Sequence, residues 1–543
     1  DVCAHPDRAG CRTGQVAMSR ETDFIIVGAG AAGLLAAVAA RRLGLDVLVV
    51  EATAQVGGTT CASRGAMWLP GNDLMIKLGM DDPATKVLDY LNTVLGDTTE
   101  ASTLARRAAY ANSSVKMVRW LTSSRIPLMI MRGLPDYHLA EDGGKAQGRV
   151  LATQYANLDS LGEWADRLRT NSAATAKPGG IKKFFSAKPA TTTATRGEAL
   201  VAELLRRATA NGVEFWFDSP LIELVSANGS VSGVIVERDG QRQEVSARRG
   251  VLLACGGFEA NQYLREEHLP LPTDTHWSLN EPLNTGAGIE AGIAIGAETA
   301  AMSTAWWVPV ILVDGKPYRI DKARQAPHGI IVDQAGDRFF SEAAGPSILG
   351  RYLYSRSRGG VHAVPSFLIM DNRHRSSYEL GPWKPGSTPR KVIESGDIFR
   401  ANTLNDLAQE LGIDRAGLIG TVVRFNSFAH KGQDEDFHRG ESDWDRFGLG
   451  GSKKKNPGLS KLDKSPFWAV KLYPGDSGTK GGLLTDENSR VLHQDGSIIE
   501  GLYACGGVAA SMMKSTSPGP GAGLGEALIE AYRAVLTLDA AND

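Results

Sequence analysis

The sequence predicts an α/β protein with a Rossmann-like, parallel-sheet domain to which both chain ends contribute, and with an inserted α+β domain. Three observations support this prediction. A β-branched run at 23–27 leads directly into the glycine pattern of 28–33 and then into an Ala/Leu-rich helix. A second apolar run at 46–50 ends at an acidic residue. Further glycine-rich segments follow buried-strand patterns near 256 and near 506.

Composition excludes several classes of function. The chain has 543 residues, with 59 Lys+Arg against 61 Asp+Glu and a net charge of −2, which argues against a nucleic-acid binder and a disordered acidic chain. The five cysteines are scattered and form no Cys/His cluster, so we predict neither disulfides nor a metal site and expect a reducing cytoplasm. The apolar stretch 24–40 contains three glycines and is short for a membrane span. Residues 1–20 lack an apolar core and are predicted to be a tail.

The first glycine pattern predicts a dinucleotide site. Gly28 permits a tight turn, Gly30 lets the backbone approach a pyrophosphate, and Gly33 lets helix and strand pack closely. The helix N-terminus favours an anion, and an acidic residue 18 positions beyond Gly33 can accept hydrogen bonds from ribose hydroxyls. The predicted binding residues of this βαβ unit are Gly28, Gly30, Ala31, Ala32, Gly33, Glu51 and Ala52.

The next segment, residues 55–66, indicates that the cofactor is FAD and not NAD. It is rich in small residues and resembles the second glycine-rich segment of flavoproteins with two dinucleotide-binding domains; a flexible linker is the alternative. Its predicted cofactor residues are Gly57, Gly58, Thr59, Thr60, Ser63, Arg64, Gly65 and Ala66. Covalent flavoproteins of this kind attach FAD through a histidine here, and residues 59–62 contain none, so we expect non-covalent FAD.

Two later segments are predicted to return to the same cofactor. A strand ends at Cys255, and the glycines near the C-terminus precede an amphipathic helix whose N-terminus suits the pyrimidine end of a reduced flavin. The residues predicted to bind there are Cys255, Gly256, Gly257, Gly506, Gly507, Gly521, Gly523 and Leu524. The predicted organisation is therefore an FAD-binding domain at 21–285 and 471–543, interrupted by a catalytic domain at 286–470.

The chain resembles the fumarate reductase/succinate dehydrogenase flavoprotein superfamily and, within it, the 3-ketosteroid Δ1-dehydrogenases. The matching blocks run from about residue 22 to 537 and lie at 49–60, 63–70, 254–258, 277–280, 284–286, 305–307, 478–482 and 518–521. The block with Asn284 and the paired Trp306 and Trp307 indicates the ketosteroid branch. We predict that both tryptophans bind substrate as a flat aromatic wall, with packing at a domain interface as the alternative.

The resemblance implies that the enzyme forms a C=C bond next to a ring ketone, steroid or alicyclic. A tyrosinate takes the α-proton with help from a second tyrosine, the β-hydrogen leaves as hydride to flavin N5, and a tyrosine with a backbone N–H polarises the ketone. The assisting tyrosine corresponds to Tyr137, but Pro346 and Ser517 stand at the positions of the other two, while Gly521 keeps the backbone role. The replacement bases considered are Tyr352, Tyr354, Tyr137 itself and His138.

Two alternatives to this dehydrogenase stay open on the sequence. A fumarate-reductase-type enzyme would need a histidine at Gly478 and an arginine at Pro346, and neither is present. The missing tyrosines also allow a flavin-binding protein without turnover. Beyond a small hydrophobic ketone, we expect a quinone or a separate carrier as electron acceptor and no nucleic-acid partner.

Overall fold

A parallel sheet built from distant parts of the chain organises the structure, a computed structural model that describes residues 17–170, 193–280, 282–448 and 456–540. The strands are β1 (Ala17–Val27), β2 (Val47–Val50), β3 (Met67–Trp68), β4 (Leu128–Ile130), β5 (Val150–Thr153), β6 (Ala156–Asn157), β7 (Thr193–Ala194), β8 (Glu214–Trp216), β9 (Leu221–Ala227), β10 (Ser230–Arg238), β11 (Gln241–Leu253), β12 (Thr299–Ala300), β13 (Ala305–Val313), β14 (Lys316–Arg319), β15 (Gly329–Val332), β16 (Ser366–Met370), β17 (Phe399–Ala401), β18 (Phe467–Thr479), β19 (Gly482–Leu483), β20 (Arg490–Leu492) and β21 (Ile498–Ala504).

Helices connect and cover these strands. They are α1 (Ala31–Arg42), α2 (Gly58–Ala62), α3 (Asp73–Ile76), α4 (Ala84–Leu95), α5 (Leu104–Ser123), α6 (Arg196–Ala210), α7 (Gln262–His268), α8 (Ala287–Ala294), α9 (Asp321–Gln325), α10 (Pro346–Arg358), α11 (Asn372–Ser377), α12 (Arg390–Glu394), α13 (Leu404–Leu411), α14 (Arg415–Lys431), α15 (Asp443–Gly448) and α16 (Ala522–Ala540). Short 3-10 helices lie at Leu158–Arg167, Thr275–Trp277 and Gly506–Val508.

The large sheet confirms the predicted fold class. Its parallel part has the order β8-β2-β1-β11-β21, so β21, from the last part of the chain, joins the strands of the N-terminal βαβ unit. The long β11 pairs with β10 antiparallel along its first half and with β21 along its second half. Both chain ends therefore build the same sheet, as the glycine segments predicted.

Both faces of this sheet are buried, which explains the unbroken apolar runs of its strands. Phe24 and Ile26 of β1 belong to one hydrophobic cluster, whereas Ile25 and Val27 belong to the other. Successive side chains of a strand point to opposite faces, so a strand covered on both sides carries no polar alternation. On the first face, α1 contacts α6 and α16, which brings the first and last helices of the chain together.

A second, antiparallel sheet lies in the middle of the chain. Its order is β14-β13-β18-β16-β15, and β17 also pairs with β18. The domain boundaries remain a prediction, but two of them fall within strands: β1 begins at Ala17, inside the predicted tail, and residue 470 lies within β18. In the described part of the chain, no helix is both long and apolar enough to cross a membrane.

Candidate active site

The first glycine turn has the close approaches that its pattern predicts. Gly28 has φ +107°, and a Cβ there would lie 2.6 Å from the carbonyl oxygen of Ala254. A Cβ on Gly33 would lie 2.1 Å from the carbonyl oxygen of Gly28, so any side chain would push the turn away from the helix. Around Gly30, by contrast, a Cβ would meet no atom within 4 Å. The turn is thus closed on the protein side and open at the residue predicted to face the pyrophosphate.

Glu51 is held against this turn. Its Oε2 accepts a hydrogen bond of 2.9 Å from the amide of Ala29, and its Oε1 accepts one of 3.0 Å from the amide of Thr53. Oε1 also accepts a bond of 3.0 Å from the hydroxyl of Thr53, whereas Oε2 can accept a further bond, so the group keeps capacity for a ribose hydroxyl. The structure therefore places Glu51 at the end of β2 and beside the start of α1, as the βαβ pattern predicted.

The second glycine segment docks directly on the first. The amide of Gly57 donates to the carbonyl oxygen of Ala29 at 2.9 Å, and the amide of Ala31 donates to Thr60 Oγ1 at 3.4 Å. Gly57 has φ +117°, and a Cβ there would lie 2.3 Å from Cys61 Sγ. The segment is consequently an ordered loop and short helix, and the alternative of a flexible linker is wrong.

A buried carboxylate that the sequence analysis missed, Glu259, holds two asparagines, one of which also contacts the second glycine segment. Glu259 Oε1 accepts bonds of 2.5 Å from Asn284 Nδ2 and from Asn280 Nδ2, and Asn284 Nδ2 also lies 3.0 Å from Thr59 Oγ1. Burial, reinforced by the charge of Asp476, raises the pKa of Glu259. Asn280 and Asn284 stand in blocks that carry the family resemblance. Their amide groups need acceptors, and a search for an acidic residue near them in the sequence could have identified Glu259.

The C-terminal segment packs against the second glycine segment and forms a further side of the predicted FAD site. Gly521 has φ +84°, and a Cβ there would lie 2.4 Å from the carbonyl oxygen of Ala66 in the second segment. The amide of Trp68 donates to Gly521 O at 3.1 Å. Gly521 immediately precedes α16, whose first amides have no intrahelical acceptor and can donate to an anionic group. Residues separated by more than 450 positions thus form one continuous wall.

The assembled residues fit FAD. The first turn offers an open backbone at the N-terminus of α1, a carboxylate for the ribose and a second backbone loop beside them. Gly58, like Gly30, would direct a Cβ into open space, which leaves room for an extended ligand along both segments. Gly506 and Gly507 reach the same region, because a Cβ on Gly507 would lie 2.7 Å from the amide nitrogen of Gly257. The individual contacts to FAD stay predictions.

Tyr137 lies at the C-terminal loop that carries Ser517. Its amide donates to the carbonyl oxygen of Pro518 at 3.1 Å, and the adjacent His138 Nε2 lies 3.2 Å from Thr516 Oγ1. The ring packs edge-on against Trp444 with centroids 4.5 Å apart. A Cβ on Gly345, the residue before Pro346, would lie 3.8 Å from the Tyr137 ring. The structure therefore brings together the three positions at which the family carries its catalytic tyrosines.

The surroundings of Tyr137 are strongly charged. Burial raises its pKa to about 12, and the carboxylate of Asp321 raises it too, whereas the guanidinium groups of Arg319, Arg324 and Arg64 lower it. Burial also lowers the pKa of the neighbouring His138, which therefore favours its neutral form. Three cations near a phenol are an arrangement that stabilises the phenolate, against the cost of removing that charge from water.

The hydroxyl of Ser517 is engaged within its own loop. The side chain is buried, and Oγ donates to the carbonyl oxygen of Gly519 at 3.1 Å. A hydroxyl has one proton, so Ser517 must release this bond before it can donate to a ketone. The backbone N–H of Gly521 is the other predicted donor, and it lies at the N-terminal end of α16.

The two tyrosines of α10 do not join this group. Tyr354 is buried, its hydroxyl donates to the carbonyl oxygen of Pro272 at 3.1 Å, and its ring packs against Trp307. Tyr352 is 43% exposed and stacks on Phe340. No ring contact or hydrogen bond in the described residues connects either one to Tyr137. The prediction that they replace the family base is wrong for Tyr354, which packs in the core against Trp307, and has no structural support for Tyr352.

The paired tryptophans diverge, because neighbouring residues of β13 point to opposite sides. Trp306 packs on the start of α16, where a Cβ on Gly523 would lie 2.9 Å from its Cε2. Trp307 is 3% exposed and belongs to the core with Tyr354. The prediction that both form a substrate wall is therefore wrong for Trp307, which packs as the alternative described, while Trp306 lies beside the predicted flavin residues.

Lys480 was not predicted as a functional residue. Its Nζ donates to the carbonyl oxygens of Lys514 at 2.8 Å and Thr516 at 2.5 Å, and it lies 3.9 Å from the centroid of the Trp306 ring. Burial lowers its pKa to about 7. Lys480 therefore connects the loop that leads into Ser517 with the tryptophan beside α16. Its place in the 478–482 block, which carries the family resemblance, was the available signal.

Comparison with known proteins identifies a matching family and similar proteins. The family described as FAD binding domain matches residues 23–524. The chain is 34% identical to the 3-oxosteroid 1-dehydrogenase of Mycobacterium tuberculosis, over 95% of this chain and 98% of the relative. It is 31% identical to the 4-oxocyclohexanecarboxylate 2-dehydrogenase of Sinomonas cyclohexanicum, over 95% of this chain and 92% of the relative. The crystal structure of the 3-ketosteroid Δ1-dehydrogenase of Sterolibacterium denitrificans with 1,4-androstadiene-3,17-dione matches with a TM-score of 0.90 and 34% identity, covering 96% of this chain and 100% of that chain.

Proposed function

The chain belongs to the FAD binding domain family of flavoproteins, and on this premise we propose that it uses Tyr137 to introduce a C=C bond next to the ketone of a ring substrate. FAD-dependent dehydrogenation at a CH–CH bond beside a ketone is supported by the 3-oxosteroid 1-dehydrogenase relatives and the matching solved structure. The observation that carries the residue assignment is the contact of Tyr137 with the Ser517–Pro518 loop, which ends at Gly521 and the start of α16.

The reaction removes two hydrogens from adjacent carbons. The proton α to the ketone passes to the oxygen of Tyr137, and the electrons of that C–H bond form the new C=C bond as the β-hydrogen departs with its own electron pair. Bound FAD supplies the two-electron acceptor for that hydride. An α-proton is acidic only while donors hold the developing enolate, so the Gly521 amide and the Ser517 hydroxyl are assigned to the ketone oxygen.

The charges around Tyr137 suit the assignment of a base. Deprotonated Tyr137 would be stabilised by Arg64, Arg319 and Arg324, which already lower its pKa against the effect of burial. His138 is adjacent and neutral, but its Nε2 is engaged by Thr516. Tyr137 thus lies beside residues 517–521, the proposed ketone-binding loop, and has three cationic neighbours. Tyr90 also contacts this loop, but its hydroxyl donates to the carbonyl oxygen of Pro518 at 2.7 Å.

Ring ketones of different size are compatible with the proposal. One relative is named for a 3-oxosteroid and another for an oxocyclohexanecarboxylate, and both match at similar identity. A quinone or a separate electron carrier is proposed as the final acceptor, and the cytoplasm, expected from the scattered cysteines, as the compartment.

Anaerobic bleaching of the flavin in the purified holoenzyme tests the proposal. A 3-oxosteroid and a cyclohexanone are added in separate experiments, and loss of the oxidised flavin band is followed. Bleaching by either ketone, abolished in Tyr137→Phe with full FAD occupancy, is the expected result. Failure of both ketones, or equal bleaching in Tyr137→Phe, would refute the assignment.

A further inference from the structure

Three arginines converge beside Tyr137 from separate parts of the chain. Arg64 belongs to the second glycine segment, Arg319 ends β14, and Arg324 lies in α9. All three act on the Tyr137 hydroxyl through their charges. The proposed reaction needs cations there only to favour the phenolate, so it does not by itself explain why one of the three remains accessible.

The charges of this cluster do not balance. Asp321 Oδ2 lies 2.9 Å from Arg319 Nε and 3.8 Å from Arg64 Nη2, while Oδ1 lies 3.9 Å from Arg324 Nη2. Burial alone would raise the pKa of Asp321, but the three guanidinium groups lower it below its usual value. Asp321 is therefore ionised. Asp445 also interacts with Arg324, although burial raises the pKa of Asp445, and Arg196 adds a further positive charge beside Arg64. The positive charges of the cluster therefore outnumber the negative ones. A region with excess positive charge attracts anions.

Arg64 is placed to meet such an anion. Its side chain is 65% exposed, and within the described residues its guanidinium makes no hydrogen bond. Nevertheless, enclosure by protein lowers its pKa, and the like charges of Arg319 and Arg196 lower it further. An incoming carboxylate would relieve the repulsion among these cations.

The other two arginines differ in what they can contact. Arg324 is fully buried, and its Nη1 donates to the carbonyl oxygen of Glu342, while its Nε and Nη2 have no hydrogen-bond partner among the described residues. It therefore contributes charge to the cluster but no surface that an anion reaches from solvent. Arg319 is 32% exposed and uses Nε for Asp321, which leaves its two terminal nitrogens available. The contact surface for an anion therefore consists of Arg64 and Arg319.

Resting on the proposed function, we infer that Arg64 and Arg319 form an anion subsite that binds a carboxylate carried by the ring-ketone substrate. Guanidinium groups recognise carboxylates through paired, charge-assisted hydrogen bonds, and a neutral diketone steroid offers nothing to compensate them. The backbone of Arg64 is still predicted to line FAD, while its side chain reaches to within 3.8 Å of Asp321. The substrate class that this subsite selects is an oxo acid.

Binding of an unreactive acid tests the subsite separately from turnover. Cyclohexanecarboxylate has no ketone to oxidise, and cyclohexanecarboxamide has the same shape without the charge. We expect the acid to perturb the flavin absorbance of the holoenzyme at concentrations at least about tenfold lower than the amide, because a charge-assisted pair is lost with the amide. Equal affinity for the two compounds would overturn the inference.

Substitutions identify the residues responsible for the preference for the acid over the amide. Arg319→Gln and Arg64→Gln are each expected to lower the acid-to-amide affinity ratio about tenfold, Arg64→Lys to retain part of it, and the exposed Arg358→Gln to leave it unchanged. The flavin midpoint potential, measured without ligand, separates an effect on the cofactor from an effect on the subsite. A ratio that survives in both glutamine variants would refute the assignment.

Steady-state kinetics connects the subsite to the substrate. The KM values for 4-oxocyclohexanecarboxylate and for cyclohexanone are measured in the wild-type protein, in Arg64→Gln and in Arg319→Gln, and their ratio is compared. Any change in the basicity of Tyr137 acts on both ketones alike. A rise in KM for the carboxylated ketone alone in the two variants supports the inference. If the acid binds through Arg64 and Arg319 but neither ketone bleaches the flavin, the subsite stands and the proposed function fails.

Discussion

The amide of Tyr137 donates a 3.1 Å hydrogen bond to the carbonyl oxygen of Pro518, although the two residues are 381 positions apart. The same carbonyl accepts a 2.7 Å bond from the hydroxyl of Tyr90. Pro518 thus connects residues 517–521, the proposed ketone-binding loop, to the segment that carries the proposed base. We expect substitutions in the loop and in that segment to change different measurable properties of the enzyme.

Tyr137→Phe removes the proposed base without disturbing its ring contact to Trp444. We expect the rate of flavin reduction to fall by a factor of about 100 or more, because general base catalysis contributes roughly two to four orders of magnitude. FAD occupancy and stability are expected to be retained. Stopped-flow reduction with excess ketone measures the rate, and Tyr263→Phe, on an exposed tyrosine, is the matched control. An unchanged rate would exclude Tyr137 as the base.

The rate should depend on pH in a direction that the environment of Tyr137 determines. Burial raises the pKa of Tyr137 to about 12, and the base is active only when deprotonated. The active fraction therefore increases about tenfold for each pH unit below that value. We expect kcat/KM to rise throughout the range in which the protein is folded, and the rise to vanish in Tyr137→Phe. A plateau below neutral pH would assign the base to another group.

Gly521→Ala tests the close contact between the C-terminal loop and the second glycine segment. The new Cβ would lie 2.4 Å from the carbonyl oxygen of Ala66, in addition to the strain of φ +84°. Gly240→Ala carries similar strain at φ +72° but meets no atom within 4 Å, so it is the matched control. We expect Gly521→Ala to lose FAD and to melt several degrees lower than Gly240→Ala. Equal behaviour of the two variants would show that the contact is unimportant.

Glu530 should make stability depend on pH. Burial first, and the neighbouring Glu526 second, raises the pKa of Glu530 to about 8. The folded state then binds a proton that the unfolded state has released, so stability is greatest below the unfolded pKa near 4.5 and decreases as pH rises towards 8.

Melting temperatures between pH 6 and pH 8.5 provide the measurement for this effect. Glu526→Gln removes the like charge and is expected to flatten the decline, because the pKa of Glu530 would fall towards its usual range. Glu530→Gln should flatten it further, although it also weakens the 2.7 Å pair with Arg106. A profile that is identical in all three proteins would refute this role of the pair.

Lys480→Met tests the amine that holds the loop before Ser517. The change keeps the length of the side chain but leaves the carbonyls of Lys514 and Thr516 without this donor. We expect a loss of about 1–3 kcal/mol in the free energy of unfolding, the usual cost of an unsatisfied buried group. Denaturant titration measures it, with Lys316→Met on an exposed lysine as the control. A loss no larger than in the control would contradict the role of Lys480.

Local features of the chain were predictable because their determinants are close in sequence. The turn at Gly28–Gly33, the acidic residue at the end of β2 and the glycines before α16 each combine a strand or helix pattern with a turn that few other residues could form. The family resemblance added the position of Tyr137. These features sufficed to predict the fold class, FAD and the type of reaction.

The tertiary structure decided which of the candidate side chains meet. Trp306 and Trp307 are adjacent in sequence but face opposite sides of β13, and the hydroxyl of Tyr354 donates a hydrogen bond to the carbonyl oxygen of Pro272. Glu259 becomes significant only because Asn280 and Asn284 turn towards it. Residues hundreds of positions apart come into contact through the register of the sheets and the packing of α1 against α16, which no local pattern encodes. The sequence by itself therefore determined the cofactor and the chemistry, and the packing of its elements selected the residues that are proposed to surround the substrate.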